Sequence, residues 1–237
     1  RVGYFRECWR TLVLCLYASG TRPIELIGEV EKVRKVAADG TASVERKIRS
    51  GLRWEDVEVD MATHVNDVSG KEFQKSVATL YIRESKTGVP REVPCNAGDY
   101  FIRWRKFCDN YRKEQGLRPL KKSDYVFFNP YIDQPYSYTH FFRAWDEMRE
   151  KLKDELSPVR SNQKYTIYSL RSSYITNQIE EGKDIYLIKK ITGHSLELLH
   201  RHYDRSDVRK RSAEAVQRTY AKTKKRPNAI DLENLEP

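Results

Sequence analysis

From Tyr4 to Ser19 the apolar side chains recur at the three- and four-residue steps of a helix, through Phe5, Trp9, Leu12, Cys15 and Leu16, and Gly20 closes the run. Thr21 then offers a cap, and Pro23 falls in the first turn of a second helix, where its missing N–H costs nothing. Ile24, Leu26, Ile27, Val30 and Val33 carry that predicted helix to about Ala38. Ala-Asp-Gly at 38–40 breaks it, and 41–50 reads as another short helix. From Val57 the period falls to two. Val57 and Val59, Val77 to Arg83, and Arg91 to Cys95 read as three short strands, with Lys86, Thr87 and Gly88 in a hairpin between the last two. Helical spacing returns at 98–115, 137–155, 169–181, 184–191 and 205–222, while Ser157-Pro158 and the polar run to Lys164 mark a loop. The expected fold is mainly α with a small three-stranded antiparallel β-sheet near the front. No internal repeat or low-complexity segment interrupts it.

Composition narrows the partners. At 237 residues and 39% hydrophobic, the chain can bury one substantial core, and its length alone permits a second small one. Lys and Arg exceed Asp and Glu by 44 to 34, a net charge of +10. That excess favours a polyanion such as nucleic acid or an acidic membrane surface, set against the plainer reading of a solvated basic exterior. Thr11 to Ala18, the best apolar run, is too short to span a bilayer and reads as a buried helix. Cys8, Cys15, Cys95 and Cys108 lack metal-type pair spacing, which suits an intracellular protein with reduced thiols. The chain begins at Arg1, with no signal peptide after it, and is expected to be a longer protein trimmed at its N-terminus.

Breaking a DNA strand without losing its bond energy needs a nucleophile in line with phosphorus and cations on the equatorial oxygens. It also needs an acid for the departing 5′-oxygen and a group that orients or deprotonates the nucleophile. Arginine suits the cationic task, because its planar fork holds two phosphate oxygens and keeps its proton. Candidate parts occur in order. Arg-Pro-Ile-Glu at 22–25 begins a helix, Ser-Lys-Thr-Gly at 85–88 sits in the hairpin, and Tyr-Ser-Leu-Arg at 168–171 opens another helix. Thr-Gly-His-Ser at 192–195 follows a short helix, and His-Tyr-Asp-Arg at 202–205 comes last.

In this order and spacing the chain resembles the tyrosine recombinase (phage integrase) family, over roughly residues 4 to 205. Arg171 to His194 spans 23 residues and His194 to Tyr203 nine, as in the family pattern. The resemblance implies a tyrosine recombinase catalytic domain over 1–237, with a basic helix and tail at 206–237 and the usual N-terminal core-binding domain absent from this fragment. It implies that Tyr203 is the nucleophile of a 3′-phosphotyrosyl link, that Arg22 and Arg171 clamp the non-bridging oxygens, and that Lys86 protonates the leaving 5′-oxygen. His194 would hydrogen-bond the phosphate, and Glu25 would orient the site without touching DNA. Arg83, Arg91 and Arg205 are candidate contacts to the DNA backbone. No cofactor, divalent ion or ATP is implied, since two arginines serve as the charge sink. His194, His200 and His202 lie close in sequence, but no Cys or acidic pattern makes them a metal site.

Two departures stand out. Tyr168 occupies the place where the family usually has His. A phenol donates or accepts a hydrogen bond but is a poor base near neutrality, so Tyr168 is expected to position Tyr203 or the phosphate. Residues Glu29 to Gly51 form an insert rich in Lys and Arg, expected either to touch DNA backbone or a neighbouring subunit or to be a solvated helical decoration. Farther on, nine Lys or Arg between 205 and 226 face only Asp207 and Glu214, and an acidic-apolar tail (Ile230 to Glu236) follows. The family resemblance reads that tail as a tether to the next subunit; the plainer reading is a frayed end.

The expected function is site-specific recombination of double-stranded DNA for integration or excision of a phage or mobile element, by a homodimer or homotetramer on attachment sites inside a host cell. The alternatives are a type IB topoisomerase-like enzyme, a telomere resolvase, or a catalytically impaired DNA-binding relative.

Overall fold

The computed structural model describes residues 2–36, 42–49, 51–65, 69–83, 89–156 and 164–203. Residues Arg1–Tyr203 form one compact unit. The expected helix at 205–222, the acidic tail, Arg205 and Lys86 all lie outside the described residues.

Helix α1 (Val2–Ser19) is the central post. Tyr4, Cys8, Leu12, Cys15 and Leu16 recur every three or four residues, so they share one face and bury it completely against the core. Its flank is also covered, because Phe5 stacks on Phe141 at 5.6 Å and Trp9 meets Trp145 edge-on at 6.2 Å. Those rings come from α4 (Tyr138–Lys151). On the other side stands α3 (Gly98–Glu114), which buries Phe101, Trp104 and Cys108 and ties Trp104 Nε1 to the Val126 carbonyl at 2.8 Å.

Helix α2 (Pro23–Ile27) is a single short element ended by Gly28, whose φ of 84° a side-chain-bearing residue rarely adopts. The predicted helix to Ala38 and the one at 41–50 are therefore corrected. Strands β1 (Glu29–Val36) and β2 (Ala42–Arg49) pair antiparallel from Glu29↔Arg49 to Val36↔Ala42. The three-residue step from Val30 to Val33 imitates a helix, but β-branched residues suit a strand better, and Asp39-Gly40 is a hairpin dipeptide in the sequence. The excursion closes on itself. A Cβ built on Gly51 would stand 3.2 Å from the Gly28 Cα, and Leu52 N donates to the Leu26 carbonyl at 3.1 Å.

The three-stranded antiparallel sheet, order β3-β4-β5, is as expected. After a 3-10 turn at Trp54–Asp56 come β3 (Val57–Val65), β4 (Glu72–Ile82) and β5 (Arg91–Cys95). Ser76, Ala78, Leu80 and Ile82 alternate inward along β4, opposite Val93 and Cys95 of β5. Beyond that core β3 and β4 continue as an exposed two-stranded ribbon, with Met61 and Phe73 in solvent, so no apolar alternation announced its length. A small hairpin, β6 (Phe128–Asn129) with β7 (Gln134–Pro135), was also unforeseen.

The remaining helices deliver the site. Helix α5 (Ser169–Glu180) packs on α1, and α6 (Ile185–Thr192) starts at an Asp184 cap that accepts from Tyr186 N at 2.9 Å. Helix α7 (Leu196–Tyr203), absent from the sequence reading, packs against α5 and α6 through the fully buried Leu199. Among the described residues no helix is long and apolar enough to cross a membrane.

Candidate active site

The site begins where α1 stops. Gly20 adopts a φ of 61°, and the chain turns so that Arg22, in extended conformation, caps α2. Glu25, three residues on, folds back: its Oε2 accepts from the Arg22 backbone N–H at 2.8 Å and its Oε1 from Arg22 Nη1 at 2.9 Å. The carboxylate is almost wholly buried, which would be costly without compensation. Arg91, the first residue of β5, supplies the rest by donating from Nη2 to Glu25 Oε2 at 2.6 Å. Burial pushes the Glu25 carboxyl up, but the Arg91 and Arg22 hydrogen bonds and charges outweigh it and leave it below its usual range.

Arg171, the third residue of α5, crosses beneath this pair and is only 1% exposed. Its Nη1 donates to the Gly20 carbonyl at 2.6 Å and its Nη2 to the Thr192 carbonyl at 2.5 Å. The preceding carbonyl of α6, Ile191, accepts from Arg91 Nε at 2.8 Å. Two carbonyls at the C-terminus of α6 are thus capped by guanidinium groups, at the end where the helix dipole favours cations. Gly193 closes α6 in the left-handed conformation, φ 69°, with its N–H returned to the Lys189 carbonyl at 2.7 Å. That turn lays His194 against Arg171.

Arg171 Nη2 stands 3.0 Å from His194 Nδ1. The same Nη2 is 3.4 Å from Nε2; a guanidinium has no lone pair to offer, so the shorter contact favours Nδ1 as acceptor and the tautomer with its proton on Nε2. The Thr192 hydroxyl, 3.2 Å from Nδ1, spends its own proton on the Ile188 carbonyl at 2.7 Å and does not compete. Burial, then the charges of Arg171, Arg22 and Arg91, pull the imidazole down to about 4, so it is neutral at physiological pH. Arg171 is itself lowered to about 10, first by burial and then by Arg22, and stays cationic. No carboxylate forms an ion pair with Arg171 among the described residues, and its Nε is buried without a hydrogen-bond partner.

The structure brings together Arg22, Glu25, Arg171 and His194, all singled out from the sequence. Tyr203 is the last residue of α7, nine positions after His194; its backbone is placed, while its side chain lies outside what is described. Tyr168 precedes α5, 40% exposed at the rim and near enough that its charge would bear on Arg171. Arg83 points away, its side chain 53% exposed and paired with Asp56 at 2.6 Å and Glu55 at 3.0 Å. Arg91, foreseen as a contact to DNA, is instead a buried member of the network. Gly20 and the α6 carbonyls escaped sequence reasoning, because backbone oxygens leave no trace in residue identity.

A mixed α/β domain that gathers three guanidinium groups around one carboxylate and one neutral imidazole can hold an anion with several oxygens. The chain belongs to the phage integrase family, whose pattern matches residues 49–210. In three dimensions it is similar to the XerH site-specific recombinase in its pre-cleavage complex with the difH substrate, at TM-score 0.54 and 17% identity over 90% of this chain and 47% of that one. It is also similar to the Tn1549 transposon integrase in complex with a circular intermediate DNA, at TM-score 0.51 and 16% identity over 87% of this chain and 57% of that one. The fold is thus that of tyrosine recombinases, and the chain spans about half the length of these structures. No curated protein sequence matches it.

Proposed function

We propose that this chain is the catalytic domain of a site-specific DNA recombinase that integrates or excises a phage or other mobile element. The observation that carries the reading is Arg171: a buried guanidinium with no carboxylate ion pair among the described residues, beside Arg22 and a neutral His194 whose Nδ1 faces it. A scissile phosphate supplies the missing anion. Its non-bridging oxygens take the Arg22 and Arg171 guanidinium groups and the His194 Nε2–H, in a pocket assembled before substrate arrives.

In this reading Tyr203 Oη attacks phosphorus, and the bond to the 5′-oxygen breaks. The phenol proton passes to water or a neighbouring group, and Lys86 gives a proton to the departing oxygen. The 3′-phosphotyrosyl bond keeps the energy of the broken phosphodiester, so a new 5′-hydroxyl reseals the strand by the reverse step. Tyr168 at the rim orients the phosphate or the nucleophile. The arginines neutralise the equatorial charge, so the reading requires neither divalent ion nor ATP. Two or four protomers assemble on paired sites, and the acidic tail at 230–236 tethers one to the next.

The test is incubation with a pool of nicked duplexes of random sequence, in which loss of a short 5′ fragment traps the intermediate. A denaturation-resistant protein–DNA adduct is expected, and sequencing its DNA gives the site and the stagger. Persistence of that adduct in Tyr203→Phe would overturn the assignment of the nucleophile. Relaxation of supercoils without strand exchange would point to a topoisomerase, and specific binding without any adduct to an impaired relative.

A further inference from the structure

We infer that Arg91 is a positioning residue of this site: it braces α2 against the C-terminus of α6 and so sets where Arg22 and His194 stand relative to each other. The inference rests on the recombinase reading for its catalytic consequence, but its structural claim stands on the geometry.

Arg91 is anchored at both ends. Its backbone opens β5 opposite Ile82 of β4, so the sheet fixes its Cα. Its side chain, 10% exposed, reaches two elements at once, giving Nη2 to Glu25 Oε2 at 2.6 Å and Nε to the Ile191 carbonyl at 2.8 Å. Glu25 in turn holds Arg22 by both its backbone and its guanidinium. Ile191 immediately precedes Thr192, whose carbonyl receives Arg171, and the Gly193 turn that presents His194. A Cβ built on Gly193 would meet the Arg91 guanidinium at 3.8 Å, so the turn lies directly against it. One rigid fork therefore joins both halves of the anion pocket.

A role in gripping DNA directly fits poorly. Two of the donor nitrogens are spent inside the protein, and the third, Nη1, is buried with no hydrogen-bond partner. A buried unpaired donor is unfavourable and persists here because the other two contacts fix the plane. Lysine keeps the charge but, with one ammonium, cannot replace two donors aimed at Glu25 and at Ile191.

The test compares wild type, Arg91→Lys and Arg91→Ala in the full chain by thermal unfolding, DNA affinity, single-turnover adduct formation at saturating DNA, and NMR titration of His194. A small misplacement of reacting groups is worth up to about a hundredfold in rate. Arg91→Lys is therefore expected to form adduct at least about tenfold more slowly while binding DNA within about twofold of wild type. Its His194 midpoint should rise as the loosened turn hydrates the ring. In a Glu25→Gln background the same change should add little, because both act through one linkage. Should Arg91→Ala fail to fold, Arg91→Lys and the cycle with Glu25→Gln carry the test. An Arg91→Lys protein with a wild-type rate and His194 midpoint would overturn the inference, and so would a defect confined to DNA affinity. If wild type itself forms no adduct, the recombinase reading fails instead, and the brace is judged on the His194 midpoint alone, where no shift refutes it.

Discussion

Arg171 Nη2 lies 3.0 Å from His194 Nδ1 and 3.4 Å from Nε2, and because a guanidinium only donates, the nearer nitrogen is the favoured acceptor. Burial, then Arg171, Arg22 and Arg91, keep the ring neutral, and the tautomer favoured by that contact donates a hydrogen bond from Nε2 without adding positive charge.

The His194 midpoint is depressed from 6.5 to about 4, so between these values the unfolded chain binds a proton that the folded chain refuses. Stability therefore rises with pH across that window, is fully present above it, and is lost as pH falls through it. Glu25, lowered in the folded state, adds a loss of the same sign at lower pH. Urea unfolding at a series of pH values should show the slope, and His194→Phe should flatten it between 4 and 6.5.

Arg171→Lys should do more harm than loss of charge would explain. A single ammonium cannot reach the Gly20 and Thr192 carbonyls and His194 together, so buried acceptors go unpaired. The expected cost is about 1–3 kcal/mol of stability, with a fall of at least about a hundredfold in adduct formation. Inorganic phosphate should raise the melting temperature of wild type, and raise that of the variant less. Calorimetry with and without phosphate checks both points.

Gly20 has no substitute. At φ 61° a Cβ would sit 2.1 Å from Cδ1 of the buried Tyr174 ring, so the ring must shift as well as the backbone strain. Gly20→Ala is expected to cost more than about 2 kcal/mol, through overpacking and backbone strain together. A shift of the urea midpoint with unchanged slope would report it.

The hairpin excursion should be removable. With Gly28 and Gly51 already in contact, deletion of 29–50 with direct ligation should leave the melting temperature within a few degrees of wild type. If the lysines and arginines of the insert grip DNA backbone, the same deletion makes the salt dependence of binding shallower. A filter-binding series in increasing salt reads that slope.

The four thiols should be silent. Cys8, Cys15, Cys95 and Cys108 are all buried and unpaired with one another. Burial raises every one of them, Cys95 and Cys108 to about 12. A thiol-specific reagent at pH 8 should label none in the native protein and all four after unfolding.

Local pattern was enough for much of this molecule. The spacing of Phe5, Trp9, Leu12, Cys15 and Leu16 announced α1, although the structure centres its buried face on Tyr4, Cys8, Leu12, Cys15 and Leu16; period-two valines marked the sheet, and Arg22, Glu25, Arg171 and His194 stood out by motif. It failed where two codes overlap. Val30 and Val33 fit a helix by spacing and a strand by branching, and only the antiparallel partner from 42–49 resolved them. Leu196 to Tyr203 was not read as a helix; the one fully buried residue described in it, Leu199, gains its meaning only against α5 and α6.

What the sequence determined by itself was the set of charged groups and their order along the chain. Tertiary structure decided which charges turn inward. Arg83 and Arg91 stand just past β4 and at the start of β5 and look alike as residues, yet one stays half exposed against Asp56 and Glu55 while the other turns inward to Glu25, 66 residues away, and Ile191, 100 residues away. A guanidinium stays buried only where distant backbone and carboxylate oxygens converge on it, and that convergence is a property of the fold, not of any segment.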